Sequence, residues 1–200
     1  MGTSEGNSAT LPLQTLKQTI LRIIGGTFKG KLITTPKNLP VRPTTDFAKE
    51  SLFNILNNKI DFESTSVLDL FCGTGNISLE FASRGAQRIT SVDKHPACAQ
   101  FLKTFSKSMG IQTIFPECQD VFKYLKRLNQ SFDVIFADPP YELENIKDIH
   151  ELVFANNSLN KDGWLIIEHG AKTDLSQELY FVEKRKYGNV NFSFFHLPLD

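Results

Sequence analysis

Four short stretches of this 200-residue sequence combine side chains and backbone shapes suited to holding a nucleoside-like ligand beside a reactive amine. The first is Val67-Leu68-Asp69-Leu70-Phe71-Cys72-Gly73-Thr74-Gly75-Asn76, an apolar run that ends in a glycine turn and leads into a helical pattern. Gly73 and Gly75 remove side chains where backbone must come close to a ligand, and the start of a helix presents unpaired N–H groups. A complete dinucleotide fingerprint would place a third glycine at position 78. Ser78 stands there instead, so a nicotinamide or flavin cofactor is disfavoured. Asp93, eighteen residues after Gly75, falls at the end of the next apolar run, where an acid can accept both hydroxyls of a ribose. Asp120 follows the third such run and can accept from an adenine amino group; for both acids the plainer alternative is a helix cap. The fourth stretch is Asp138-Pro139-Pro140-Tyr141, after the run Phe132 to Ala137. Its prolines fix φ and lack N–H groups, which lets the Asp138 and Pro139 carbonyls point outward. The Asp138 carboxylate and the Pro139 carbonyl can together accept both hydrogens of an exocyclic amine. Tyr141 offers a stacking face to an extruded base, a contact worth roughly 1 to 3 kcal/mol.

The elements that must position these residues follow from periodicity. Apolar runs at Val67 to Phe71, Arg88 to Val92, Thr113 to Phe115, Phe132 to Ala137 and Trp164 to Glu168 alternate with helical patterns. The helices fall at Ile77 to Ser83, Pro96 to Met109, Val121 to Leu128 and Glu144 to Asn156. This alternation predicts an α/β fold with a mostly parallel sheet covered on both faces. The rhythm then changes to Leu179 to Arg185 and Val190 to Leu197 around Tyr187-Gly188-Asn189, an antiparallel hairpin at the sheet edge. Upstream, Thr19 to Ile24 and Phe28 to Thr34 flank Gly25-Gly26 as a smaller hairpin. Pro36, Pro40 and Pro43 impose an extended loop, and Thr44 or Thr45 caps a helix with Phe47, Leu52, Phe53, Ile55 and Leu56 as its apolar stripe. Residues 1–18 read as a disordered leader, 19–43 as a basic hairpin and loop, and 44–200 as the main domain.

Formal net charge is zero, but seven basic residues oppose three acidic ones within residues 1–57, so the remainder is acidic. Lys17, Arg22, Lys29, Lys31, Lys37, Arg42 and Lys49 make the first segment a candidate phosphate-binding surface, the plainer alternative being a solvated basic face. Cys72, Cys98 and Cys118 show no paired spacing, and His95, His150, His169 and His196 are scattered, so neither a disulfide framework nor a metal site is expected. No membrane span or secretion signal is apparent, which predicts a cytoplasmic protein.

The glycine turn, Asp93, Asp120 and Asp-Pro-Pro-Tyr resemble the signature segments of class I methyltransferases, the last belonging to the amino-methylating branch. Arg22-Ile23-Ile24-Gly25-Gly26 with Gly30 and Leu32, then Arg42-Pro43-Thr44-Thr45-Asp46, Glu50 to Leu56, and Ser78 to Ala86 resemble the RsmD family of 16S ribosomal RNA guanine-N2 methyltransferases. The resemblance runs from about residue 22 to 141. It implies a Rossmann-like, seven-stranded fold, S-adenosylmethionine as methyl donor, and one guanine of 16S rRNA, within a small-subunit particle, as substrate of a monomer. It further implies that Asp69 and the turn Gly73, Thr74, Gly75 and Asn76 hold the methionine part, with Phe71 and Cys72 beside them. Asp93 and Lys94 would hold the ribose and Asp120 the adenine, while Asp138, Pro139, Pro140 and Tyr141 would act on the base. Arg22, Lys29, Lys31, Arg42 and Thr44 would contact RNA. This sequence departs from the family in having Phe47-Ala48 where a basic residue is common, and Tyr141 where phenylalanine also occurs.

Three other activities share parts of this pattern. Adenine-N6 and glutamine-N5 methyltransferases also carry an acid or amide before Pro-Pro-aromatic, and a non-catalytic RNA-binding assembly factor could retain the cofactor fold. In the preferred reading the methyl passes in line from sulfonium to guanine N2, with no covalent enzyme intermediate.

Overall fold

The computed structural model of the protein describes residues 20–36, 39 and 45–199. The leader over 1–18 lies outside the described residues, as do Thr19, Lys37, Pro40, Arg42, Pro43 and Thr44 of the hairpin and loop. Strands β1 (Ile20–Arg22) and β2 (Leu32–Thr34) pair antiparallel, and helix α1 (Asp46–Leu56) follows. The main domain then runs β3 (Ser66–Leu70), α2 (Asn76–Ser83), β4 (Arg88–Asp93), α3 (Pro96–Ser108), β5 (Ile114–Cys118), α4 (Val121–Arg127), β6 (Phe132–Ala137), α5 (Lys147–Ala155), β7 (Leu159–His169), β8 (Phe181–Tyr187) and β9 (Val190–His196). Its seven strands lie in the order β5-β4-β3-β6-β7-β9-β8. The first five are parallel and β9 runs antiparallel to both neighbours, giving the Rossmann-like α/β sheet with a carboxyl-terminal hairpin.

Alternation along the strands sorts the core into two layers. Val67, Val134, Phe136, Ile166 and Phe192 face the layer that holds the amino-terminal hairpin, α1 and α2. Leu68, Leu70, Ile135, Leu165 and Ile167 face the layer packed by α4 and α5. Fully burying one such side chain stabilises the fold by roughly 1.5 to 3 kcal/mol. In α1 the Thr45 hydroxyl accepts from the Ala48 amide at 3.2 Å, so Thr45 is the cap and contributes about 1 kcal/mol. The buried stripe of α1 is Ala48, Leu52, Phe53 and Leu56, whereas Phe47 is 67% exposed and meets Tyr187 edge-on.

Several boundaries differ from the sequence expectation: α5 starts at Lys147 rather than Glu144, and β8 runs on through Tyr187, which pairs with Val190 and leaves Gly188-Asn189 as the turn. β5 starts at Ile114 rather than Thr113 and continues through Pro116 to Cys118, which an edge strand allows because its outer N–H groups have no ladder partner. β7 spans eleven residues instead of five. Asn160-Lys161-Asp162 has turn chemistry, but a register shift between Phe132 and Val134 absorbs it, and the Asn160 amide donates to Asp133 at 2.7 Å. The amino-terminal hairpin has only three residues per strand, and residues 23–31 form a turn pressed against α2.

That turn is held by a buried clamp. Both oxygens of Glu80, which is fully buried, accept backbone N–H groups, from Ile24 at 3.0 Å and Gly25 at 2.8 Å. Arg84 pairs with the same carboxylate at 2.5 Å and lies over the Phe53 ring. Lys49, also fully buried, approaches Glu80 at 3.5 Å and donates to the Arg22 carbonyl at 2.6 Å and the Asn76 side chain at 2.8 Å. Ser83 accepts from the Phe28 amide and donates to the Gly25 carbonyl. At Gly26, φ is +71° and the Ser83 carbonyl occupies the place a Cβ would need, so only glycine fits. Among the described residues no helix is long and apolar enough to cross a membrane.

Candidate active site

The chain leaves β3 toward β4 and β5, then crosses back to lay β6 on the other side of β3. Ligands of open α/β sheets sit at such a reversal, beyond the carboxyl ends of the strands. Here a cleft of about 590 Å³ opens at that edge. One wall comes from the ends of β3, β4 and β5, and the other from the ends of β6 and β7.

On the first wall, Phe71 turns the chain out of β3 with φ +58°. A bulky residue in the left-handed region costs about 1 to 3 kcal/mol, and such strain concentrates at functional sites. The Cys72 amide donates to the Val92 carbonyl at 3.1 Å, and the Gly73 amide donates to Asp93 at 2.9 Å. The second oxygen of Asp93 accepts from the His95 amide at 2.8 Å, so this acid fixes the glycine turn as well as facing the cleft. Gly75, at φ +79°, is the cap of α2 and gives no side-chain hydrogen bond to it. Asp69, 1% exposed, accepts from the Ser78 hydroxyl, which lies 2.7 Å from Ser91. Burial pushes the Asp69 carboxyl up to about 7 against the lowering by Ser78. Burial likewise holds the Cys72 thiol well above its ordinary value, which keeps it a neutral lining group. Asp120 caps α4 through the Lys123 amide at 3.0 Å and also lines the cleft.

On the second wall, the Asp138 amide donates to the Leu70 carbonyl at 3.2 Å, tying the end of β6 to β3. Pro139 is buried, Pro140 is exposed and its carbonyl accepts from Leu143 at 2.9 Å. The Tyr141 hydroxyl donates to Glu168 at 2.9 Å. Glu168 is 3% exposed and sits near the end of β7.

The cleft brings together Asp69, Phe71, Cys72, Gly73, Thr74, Asn76, Asp93, Lys94, Asp120, Asp138, Pro139, Pro140 and Tyr141. Gly75 is turned away, toward Leu102 of α3. Arg22, Lys29 and Lys31 are exposed on the hairpin and do not line the cleft; the Arg22 guanidinium pairs with Asp46 at 3.0 Å. Arg42 and Thr44 lie outside the described residues. Sequence reasoning missed Thr45, Phe122, Phe136 and Val190 as lining residues. It also missed the Lys49–Glu80 clamp; the signal for it was a carboxylate set between Leu79 and Phe81 in a helix of apolar character. Three carboxylates spaced along the first wall, beside the open amino terminus of α2, fit a ligand that carries an ammonium group, ribose hydroxyls and an adenine amine.

The model of a family described as conserved hypothetical protein 95 matches residues 21–196. A ribosomal RNA small subunit methyltransferase D of Buchnera aphidicola is 31% identical over 152 residues, spanning 76% of this chain and 77% of that one. A hypothetical protein of Thermus thermophilus superposes with a TM-score of 0.76 at 25% identity, over 88% of this chain and all but 2% of its own length, its coverage being 98%. A 16S rRNA N2 G1207 methyltransferase of Thermus thermophilus, solved with AdoMet and guanosine, shares the fold at a TM-score of 0.69 and 21% identity. It is matched over 93% of this chain and 52% of its own length.

Proposed function

Since this chain belongs to the conserved hypothetical protein 95 family, we propose that it transfers a methyl group from S-adenosylmethionine to the exocyclic N2 of a guanine in 16S rRNA. The observation that carries this reading is one cleft walled on one side by the glycine turn with Asp69, Asp93 and Asp120, and on the other by Asp138-Pro139-Pro140-Tyr141. When bound, S-adenosylmethionine supplies an electrophilic methyl on a positively charged sulfur. Asp69 and the turn Gly73 to Asn76 would hold the amino-acid end, Asp93 and Lys94 the ribose, and Asp120 the adenine. Asp138 and the Pro139 carbonyl accept both N2 hydrogens and draw the amine lone pair out of ring conjugation, while Tyr141 stacks on the base. The new bond is N2–C, the broken bond is S–C, and the proton lost from the methylated amine passes to Asp138 or water. Positioning supplies much of the rate.

The substrate proposed is a small-subunit particle in the cytoplasm, met by a monomer whose exposed Arg22, Lys29 and Lys31, with Arg42 and Thr44, engage rRNA phosphates. The test is incubation with labelled S-adenosylmethionine and subunits from a strain lacking this protein, followed by nucleoside analysis. Label in N2-methylguanosine, absent from DNA and protein, is expected; label in N6-methyladenosine or glutamine would overturn the assignment. Asp138→Ala should abolish turnover, a fall of about 10²-fold or more, with cofactor affinity changed less than about twofold. Equal loss of both would remove Asp138 from the reacting centre.

A further inference from the structure

The clamp beneath the hairpin also reaches the wall of the cleft, through its ammonium group. Lys49 has donors only. Its shortest contacts are the Arg22 carbonyl at 2.6 Å and the Asn76 side-chain oxygen at 2.8 Å, while the Glu80 carboxylate lies farther off at 3.5 Å. Glu80 is itself met more closely, by Arg84 at 2.5 Å and by the Ile24 and Gly25 amides. Matching the carboxylate is therefore not the main work of the ammonium. A buried ammonium is costly unless its partners are well placed, and here they come from two elements. Arg22 belongs to the hairpin, whereas Asn76 and Glu80 are four residues apart on one face of α2.

Asn76 closes the turn that opens with Gly73, and it lines the cleft. Gly73 and Gly75 both have positive φ, and the cap position of α2 supplies no side-chain hydrogen bond. Glycine has the largest backbone freedom of any residue, so a turn built on it keeps one shape only when it is held from outside. Asp93 holds one end, accepting from the Gly73 amide at 2.9 Å. Lys49 holds the other end through Asn76. A group that only donates takes an amide by its oxygen and so sets the way that amide is turned. We infer that Lys49 is a positioning residue for the methyl donor: from behind the wall it fixes Asn76, and with it the start of α2, in the arrangement that takes the amino-acid end of S-adenosylmethionine. This rests on the assignment of that end to the turn Gly73 to Asn76, and it deepens the assignment by naming what keeps the turn in shape. The same ammonium grips the Arg22 carbonyl, so the hairpin and the donor site share one side chain.

The experiment measures, by calorimetry on the full chain, affinity for S-adenosylhomocysteine and for 5′-methylthioadenosine, which keeps adenine, ribose and sulfur but lacks the amino-acid end. Lys49→Met, similar in length and without donors, should lower S-adenosylhomocysteine affinity about tenfold and 5′-methylthioadenosine affinity less than about twofold, the size of one well-placed hydrogen bond felt at one end of the ligand. Asn76→Ala should show the same selective loss, and the double variant should lose no more than the larger single loss. Lys49→Met with Glu80→Gln removes both charges and keeps an oxygen for the hairpin amides, so the selective loss is read there if Lys49→Met alone folds poorly. Equal losses on both ligands, as a merely structural role would give, or losses that add in the double variant, overturn the role of Lys49. Wild-type affinity in Asn76→Ala overturns it as well, together with the place given to the amino-acid end. A failure of the guanine reading shows separately, as label outside N2-methylguanosine.

Discussion

Two carboxylates are buried on the same side of the sheet, and their surroundings differ. Glu80 is met by Lys49, Arg84 and two backbone amides, so its charge is matched on every side. Asp69 is met by hydroxyls, Ser78 directly and Ser91 behind it, and burial raises its carboxyl to about 7. Ser78 and Glu80 belong to the same helix, two residues apart, so α2 serves both acids. The contrast shows how one element can close one charge and leave another poised. A fully paired buried ion is a structural fastening, whereas a buried acid with a raised pKa that lines a cleft is a candidate for meeting a ligand.

The contrast can be broken at the clamp first. Glu80→Ala strips the partner from buried Lys49 and should cost about 3 to 5 kcal/mol of unfolding free energy in urea titrations; a cost below about 1 kcal/mol would mean the clamp is not a fastening at all. Replacing both partners together, Lys49→Met with Glu80→Gln, should cost clearly less than the two single changes added. Asp69→Asn is expected to behave in the opposite way, with stability altered by less than about 1 kcal/mol near pH 4, where Asp69 holds its proton, but S-adenosylhomocysteine affinity lowered tenfold or more, about 1.4 kcal/mol, by calorimetry at neutral pH. An Asp69→Asn variant that lost several kcal/mol of stability at pH 4 while its affinity at neutral pH stayed unchanged would reverse the roles given to the two acids.

Acidity sharpens the same distinction. Because the folded pKa of Asp69 is about 7 and that of a free aspartate about 4, the folded chain holds a proton in that window that the unfolded chain has lost. The Asp69 contribution is therefore complete below about pH 4 and disappears as pH climbs to 7. Relative to Asp69→Asn, the cofactor-free wild-type chain should lose up to about 1.4 kcal/mol per pH unit across the window and level off above it. Parallel thermal melts of the two proteins would reveal a constant offset instead if Asp69 were not raised. The smallest effect expected is that of Ser91→Ala, which removes the support behind Ser78 and should cost about 1 kcal/mol.

Much of the fold was legible because parallel strands covered on both faces appear as short apolar runs, and Val67 to Leu70, Arg88 to Val92 and Phe132 to Ala137 are such runs. The cleft was legible where backbone chemistry leaves a mark in residue type, as at Gly73 and at Asp138-Pro139-Pro140. Lys49 and Glu80 were not, since a charged residue in a helix normally faces water and only a partner brought by tertiary packing lets it turn inward. Glu168 ends the apolar run that begins at Trp164, but the register that brings it toward Asp138 is a property of two strands, not of either sequence. The full length of β7 was hidden by Asn160 and Asp162, whose turn preference yields to a bulge.

The bond between Gly25 and Glu80 joins positions 55 residues apart. A chain synthesised from its amino terminus brings out the hairpin first, and Leu21, Ile23 and Ile33 stay wet until α2 has been made and folded. Closing that long loop is entropically cheap per added residue but must wait for its far end. Seating the hairpin through Glu80 thus requires that α2, which follows the first βα turn of the main domain, is in place.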